Sequence, residues 1–280
     1  MRVADLPGVE RDVPLAPFTT FKVGGPADWF VRASSASEVK SALAAARADG
    51  LPVTVLGGGS NVLVADAGVR GVVIRVHGGE VRAISEQAIR ADGGLTINGL
   101  VRWTINRGVA GLEAWAGTPG TVGGAIYGNA HFQGRLIGEL VESVEVVTAE
   151  GHELRIAAAE MEFGYDRSRL QRTRELVLSA DFRTGRGDPA ALRAIARDSL
   201  AYRKRTQPLE SASAGCIFQN PDAAVDRVPD GIAASAGALV DQAEAAHGHR
   251  THQRHPHGLA GARQADTART GWLFNHTAIG

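Results

Sequence analysis

The 280-residue chain holds a single cysteine, Cys216, in the stretch "SASAGCIFQNP" (211–221). Small residues precede it, so the backbone there can approach a ligand closely and aim the thiol at it. A thiol of ordinary pKa, about 8.5, stays mostly protonated at neutral pH and can give a proton to a carbanion-like centre. The competing reading is a small buried hydrophobe, the common fate of a lone free cysteine. Two glycine-rich stretches offer a second kind of chemistry. "LGGGSNVLV" (56–64) sets Gly57, Gly58, Gly59, Ser60 and Asn61 between apolar segments, and "GLEAWAGTPGTVGGAIYGNAHFQG" (111–134) carries Gly117, Thr118, Pro119, Gly120, Gly123 and Gly124. Without β-carbons, successive amide N–H groups can converge on an anion, which is what a diphosphate requires. Neither stretch is a Rossmann fingerprint, since Val62 stands where the third glycine would be and a strand follows instead of a helix. A P-loop is excluded because the chain has no Gly-Lys pair. Together, the two stretches read as two walls around one long phosphate-bearing cofactor.

The elements around these loops follow from periodicity. Residues 18–32 read as extended segments about a Gly24-Gly25-Pro26 turn. Ser35 and Glu38 have capping-box spacing, Val39, Leu43 and Ala46 share one helical face, and Gly50 is placed to end that helix. "LPVTVL" (51–56) reads as a buried strand, with further strands at 62–64, 71–76, within 81–94, at 141–148 and at 175–182. An amphipathic helix is predicted over Thr96–Arg107 with Gly108 as its stop, and another from Asp188-Pro189 to about Arg203, closed by Gln207-Pro208. The chain reads as α+β, with its main boundary near 185–205.

Composition excludes several classes. Thirty basic residues balance thirty acidic ones, so no net field draws the chain to nucleic acid or an anionic membrane. No apolar run approaches the roughly 20 residues needed to span a bilayer, and one cysteine forms no internal disulfide. With a charged amino terminus in place of a secretory signal, the expectation is a cytoplasmic monomer.

Six stretches in order, "FTTFKVGGPADWF", "LGGGSNVLV", "GLEAWAGTPGTVGGAIYGN", "FGYDRSRL", "YRKRTQP" and "SAGCIFQNP", resemble the UDP-N-acetylenolpyruvoylglucosamine reductase family over about residues 15–242. The resemblance implies a two-lobed FAD-binding domain of the vanillyl-alcohol-oxidase type (15–185, lobes about 15–75 and 76–185) and a carboxy-terminal α/β substrate-binding lobe (186–280). It implies reduction of UDP-N-acetylglucosamine enolpyruvate by NADPH through FAD, in peptidoglycan precursor synthesis, with the two glycine loops on the flavin diphosphate. By it, Cys216 is the proton donor, and Asn220, Gln242, Lys204 and Arg205 contact the sugar-diphosphate. The family has an arginine directly after the tyrosine of "FGY", whereas here Tyr165 is followed by Asp166 and then Arg167. Arg167 is the expected partner of the substrate carboxylate, with Arg169 in reserve.

The resemblance breaks after Gln242. The family's late glutamate has no counterpart, because no glutamate follows Glu244. Five histidines fall between His247 and His257, without a cysteine or carboxylate among them, so no metal site is assigned. With three lysines against twenty-seven arginines, the chain looks encoded by a GC-rich gene, and the tail reads as such a gene translated out of frame. Two alternatives stay open: an oxidase or dehydrogenase on the same FAD scaffold, and a flavin- or UDP-sugar-binding protein impaired by its altered carboxyl end.

Overall fold

A computed structural model describes residues 1–207, 209–214, 219–221, 226, 228–229, 231–232, 235–236, 238–240, 242 and 277–279. Cys216, Pro208 and the histidine-rich stretch lie outside the described residues. In chain order the elements are β1 (Glu10–Pro14), β2 (Pro26–Ala33), α1 (Ala36–Ala48), β3 (Val53–Leu56), β4 (Val62–Val64), β5 (Val69–Val76), β6 (Val81–Ala83), β7 (Ala88–Asp92), α2 (Ile97–Asn106) and β8 (Val109–Ala110). There follow α3 (Val122–Tyr127), β9 (His131–Phe132), β10 (Arg135–Leu136), β11 (Val141–Val147), β12 (Glu153–Ala157), α4 (Leu170–Thr173), β13 (Leu176–Arg183), β14 (Gly185–Arg186), α5 (Pro189–Thr206) and β15 (Thr277–Ile279). The fold class is α+β, as the periodicity predicts.

The first sheet has the order β1-β2-β5-β3, with β2, β5 and β3 parallel and β1 antiparallel at one edge. Its central strand β5 is apolar at consecutive positions because both faces are covered. Val72 and Ile74 pack with Val39, Ala42, Leu43 and Ala46 of α1, while Val73 packs with Leu15, Phe30 and Leu56 on the other face. α1 begins where the sequence predicts: Ser35 Oγ accepts from the Glu38 amide. The return half of the box is shifted by one residue, since Glu38 accepts from the amide and hydroxyl of Ser34.

The second sheet is antiparallel, in the order β12-β11-β13-β7-β6. Ile89, Ala91, Val144, Val146, Ala180 and Phe182 face a core closed by α2 and α3. A register shift between Glu145 and Val146 opposite β13 interrupts the alternation, and Leu176 and Leu178 join Val147 in packing on the α1 side. That bulge turns side chains of the second sheet onto the core beneath α1. α5 is capped by Asp188, whose Oδ2 accepts from the Ala191 amide at 2.9 Å, and its Leu192 and Ala196 enter the second core.

Three sequence readings are corrected. Residues 18–25 are not extended: a single 3-10 turn, Ala16–Phe18, leads into a loop in which the Thr19 hydroxyl donates to the carbonyls of Ala16 and Val23, and the strand starts only at Pro26. β3 is an edge strand with Val55 40% exposed, not a buried one, because β5 inserts between it and β2. The segment between β11 and β13 contains β12 and α4, which periodicity did not reveal.

Candidate functional site

The two glycine loops, far apart in sequence, meet in space. A Cβ placed on Gly58 would lie 2.6 Å from Gly120 Cα, one on Gly57 would lie 2.5 Å from Thr121 Oγ1, and one on Gly120 would lie 2.9 Å from Ser60 Oγ. Gly59 has φ +65°, and a Cβ there would collide with the carbonyl oxygen of Phe18. These contacts, not turn formation alone, require glycine. Among the described residues, no acceptor is paired with the amides of Gly58, Gly59, Ser60 or Gly120. The rest of the second loop differs from the expectation of bare amides. Gly117 N–H donates to Asn98 Oδ1 at 2.7 Å, Thr118 to the Trp115 carbonyl at 2.9 Å, Gly123 to the Gly93 carbonyl at 2.8 Å and Gly124 to Thr121 Oγ1 at 3.3 Å. Pro119 has no N–H. Those residues hold the loop's shape, while four amides remain for a ligand. A bare cradle with unspent donors fits an anionic group such as the diphosphate of a dinucleotide.

One further residue belongs here that the sequence reading missed. Arg203, in "YRKRTQP", is 5% exposed and lies against the second loop. Its Nη2 donates to Thr118 Oγ1 at 2.6 Å, Nη1 donates to Gln207 Oε1 at 3.4 Å, and its guanidinium carbon sits 3.8 Å from the centre of the Phe132 ring. Its Nε has no partner among the described residues. Burial pushes its pKa down to about 10, so it stays cationic at neutral pH. Lys204 and Arg205, the cations the sequence singled out, are exposed on the last turn of α5. A signal was present: Leu192, Ala196, Ser199 and Arg203 are the buried residues of α5 and follow one another at helical spacing, so the apolar stripe runs into the arginine.

On the other side of the first loop, the Thr20 amide donates to the Gly59 carbonyl at 2.9 Å, and the Thr20 hydroxyl donates to the carbonyl of Ser213 at 2.6 Å. Ser213, three positions before Cys216, is thereby held against the cradle.

The "FGY" loop forms a separate cluster. Gly164 and Arg167 exchange backbone hydrogen bonds at 3.0 and 3.2 Å, and Asp166 between them has φ +50°. Fully buried Asn129 fixes this turn by donating to the Gly164 carbonyl at 2.8 Å. His131 Nδ1 lies 3.1 Å from Asp166 Oδ1, and its ring is 5.0 Å from that of Tyr165. The hydrogen bond to Asp166 raises the His131 pKa, outweighing burial. Asn220 Nδ2 donates to Tyr165 Oη at 3.2 Å, and Asn220 Oδ1 accepts from the Ala236 amide at 3.0 Å, so the structure brings Asn220 to this loop. Gln242 is exposed. Arg167 is exposed beside Gly164, whereas Arg169 is engaged twice by Glu175, at 3.0 and 3.1 Å. Among the described residues no group of His, Cys, Asp and Glu is arranged to hold a metal, and no helix is long and apolar enough to cross a membrane.

Residues 27–157 match the FAD binding domain family. A UDP-N-acetylenolpyruvoylglucosamine reductase of Heliobacterium modesticaldum is 37% identical over 233 residues, 82% of this chain and 71% of the relative. One from Synechococcus sp. (strain JA-3-3Ab) is 39% identical over 225 residues, 79% of this chain and 72% of the relative. The crystal structure of UDP-N-acetylenolpyruvylglucosamine reductase from Thermus caldophilus superimposes with a TM-score of 0.68 at 32% identity, covering 84% of this chain and 79% of that one. With that coverage and a shared fold, the chain belongs to the UDP-N-acetylenolpyruvoylglucosamine reductase family.

Proposed function

We propose that this chain reduces UDP-N-acetylglucosamine enolpyruvate to UDP-N-acetylmuramate, with FAD as resident cofactor and NADPH as hydride source, in peptidoglycan precursor synthesis in the cytoplasm. The observation that carries the reading is the meeting of two glycine loops with unspent amides beside a buried cation, in a chain of this family. FAD, when bound, supplies the hydride-carrying ring. The amides of Gly58, Gly59, Ser60 and Gly120 hold its diphosphate, with Gly57, Asn61, Gly117, Thr118, Pro119, Gly123 and Gly124 shaping the two loops. The enolpyruvyl ether gains a hydride at its methylene carbon and a proton at the adjacent carbon, so negative charge builds towards its carboxylate in between. A cation against that carboxylate and a proton donor near the carbon both lower the barrier. Arg167 is the proposed cation, since Arg169 is committed to Glu175. Cys216 is the proposed donor, a reading supported by the tether of Ser213 to Thr20. Asn220, Gln242, Lys204 and Arg205 are proposed contacts for the sugar-diphosphate.

The proposed FAD-binding region spans 15–185, with lobes about 15–75 and 76–185, and the substrate lobe spans 186–280, joined through α5 in a monomer. The test is NADPH oxidation that depends on the enolpyruvyl sugar. Cys216→Ala should allow flavin reduction by NADPH and block reoxidation by the sugar, while Cys216→Ser retains substantial activity. Equal loss of both half-reactions would remove the donor assignment. Bound flavin without turnover would favour an impaired binding protein, and turnover without the enolpyruvyl sugar would favour an oxidase on the same scaffold.

A further inference from the structure

We propose that His131 binds an anionic oxygen of the UDP-sugar through Nε2, with Asp166 holding the ring in place through Nδ1. The inference rests on the reading of the chain as an enolpyruvyl UDP-sugar reductase and adds a cation to that site. Three observations carry it. First, the pair hides its acid and shows its base: the side chain of Asp166 is 13% exposed and that of His131 is 40% exposed. A ligand approaching this loop meets imidazole before carboxylate. Second, Nδ1–H is committed to Asp166 Oδ1 at 3.1 Å, which leaves Nε2 as the remaining donor, and among the described residues no acceptor is paired with it. A hydrogen bond at one ring nitrogen fixes what the other can offer a ligand. Third, the ring adjoins groups already placed at the substrate site. It lies 5.0 Å from the ring of Tyr165, whose hydroxyl accepts from Asn220 Nδ2 at 3.2 Å, and Asn220 follows Cys216 by four residues. The Gly164–Arg167 backbone pair and buried Asn129 set the turn that carries Asp166, so the ring is oriented before any ligand arrives. The other titratable groups on the adjoining elements are Tyr165 and Arg167 of the loop, Arg135 of β10, Tyr127 of α3, and Tyr202 and Arg203 of α5 beside Phe132. None of them shifts the ring, and Asp166 favours its charged form. His131 is therefore cationic at low pH and loses its charge as pH rises through a value above the ordinary 6.5.

The anionic oxygen belongs to one of two parts of the substrate, and two ligands separate them: UDP-N-acetylmuramate carries a carboxylate and the diphosphate, UDP-N-acetylglucosamine the diphosphate alone. Calorimetric Kd values are measured for FAD-loaded wild type, His131→Gln and Asp166→Asn from about pH 6 to about pH 9, where both anions stay ionised. An imidazolium contact in a site this open corresponds to about three- to tenfold in Kd. His131→Gln should lose that factor at about pH 6 and match wild type at about pH 9, where the ring is neutral. The difference between the two curves isolates the ring from Cys216, whose thiol titrates in the same window. Asp166→Asn should move the inflection to lower pH, because it removes the carboxylate that favours the charged ring. Wild type should also take up a fraction of a proton on binding, read from calorimetry in buffers of different ionisation enthalpy, which a purely structural histidine would not do. A pH-dependent difference with both ligands assigns the diphosphate, and one confined to UDP-N-acetylmuramate assigns the carboxylate. Kd values within about twofold for wild type and His131→Gln across the range overturn the proposal, as does an inflection unmoved in Asp166→Asn. Wild type that binds neither nucleotide at any pH overturns the substrate reading and this contact with it, whereas wild type that binds without proton uptake overturns the contact alone.

Discussion

Gly58→Ala tests the loop geometry directly. Its Cβ would stand 2.6 Å from Gly120 Cα, about 1 Å inside an ordinary carbon–carbon contact, and the obstacle is backbone, which cannot swing aside like a side chain. Overpacking of this size costs about 1–3 kcal/mol. Replacing glycine also removes freedom from the unfolded chain, which offsets about 0.4–1 kcal/mol. The remaining loss of roughly 0.5–2 kcal/mol lowers the midpoint by about 1–8 °C for a protein of this size. The larger effect is on the ligand: pushing the loops about 1 Å apart breaks at least one charge-assisted amide hydrogen bond to phosphate, about tenfold or more in FAD Kd. Gly185→Ala is the control, because nothing lies within 4 Å of its Cβ and its φ is not left-handed. Thermal unfolding of the apoprotein and fluorescence titration with FAD read both terms. If Gly58→Ala matches Gly185→Ala in midpoint and binds FAD within twofold of wild type, the two loops do not meet as described.

Asp181, its side chain 2% exposed, holds Arg90 at 2.5 and 2.8 Å, Arg155 at 2.5 Å and the Ser143 hydroxyl at 3.1 Å. Burial pushes its carboxyl up, but these partners outweigh it and leave the pKa below the ordinary value. Asp181→Ala leaves Arg90 with Glu145 alone and Arg155 with the Ser143 hydroxyl, and should cost about 1.5–3 kcal/mol in urea unfolding. Because the folded-state pKa is depressed, the wild-type contribution is present above about pH 4 and fades as pH falls through the lower value, so Asp181→Asn should flatten the acid limb of the stability curve. A variant curve parallel to wild type below pH 4 would refute this. His131 has the opposite sign: its raised pKa means stabilisation complete below about pH 6.5 and lost as pH rises through the folded value. An NMR titration should place His131 above 6.5, and Asp166→Asn should bring it down; no change in Asp166→Asn would refute the pairing.

Much of this fold is legible because local signals agree with burial. Ser35, Thr96 and Asp188 each accept the amide three residues on, and Gly50 and Gly108 take the left-handed φ of +64° that ends α1 and α2. β5 is apolar over Val72–Ile74 because both its faces are covered there. β12 escapes because it is an edge strand, and only Ile156 of its five residues is buried. β1 escapes for the same reason, with a proline and three charges in five residues. Nor does the sequence reveal how the second loop uses its amides: the carbonyls that take the Val122 and Gly123 N–H groups belong to Leu95 and Gly93, almost thirty residues away in sequence. The "FGY" loop shows a subtler limit. The residue after Tyr165 sits at φ +50°, a conformation that aspartate tolerates better than most, and its charge is met by His131 from a distant hairpin. The substitution for the family's arginine therefore reads as a loss in sequence and as a paired, locally favoured turn residue in space.

The same limit explains Arg203. Along α5 the buried positions Leu192, Ala196, Ser199 and Arg203 become steadily more polar as the helix leaves the second core and runs under the glycine loop. Were packing the only demand, an aliphatic residue at 203 would cover Phe132 and Leu200 without desolvating a charge, and replacement of buried ions by hydrophobes is often stabilising. A cation kept at the end of an apolar stripe, with one N–H unspent, is a local rule broken where a neighbouring loop also keeps four amides unspent. Folds violate such rules mainly at functional sites. The two shortfalls in hydrogen bonding come from elements about eighty to a hundred and forty residues apart in sequence, and Gly117 brings the second loop against Arg203.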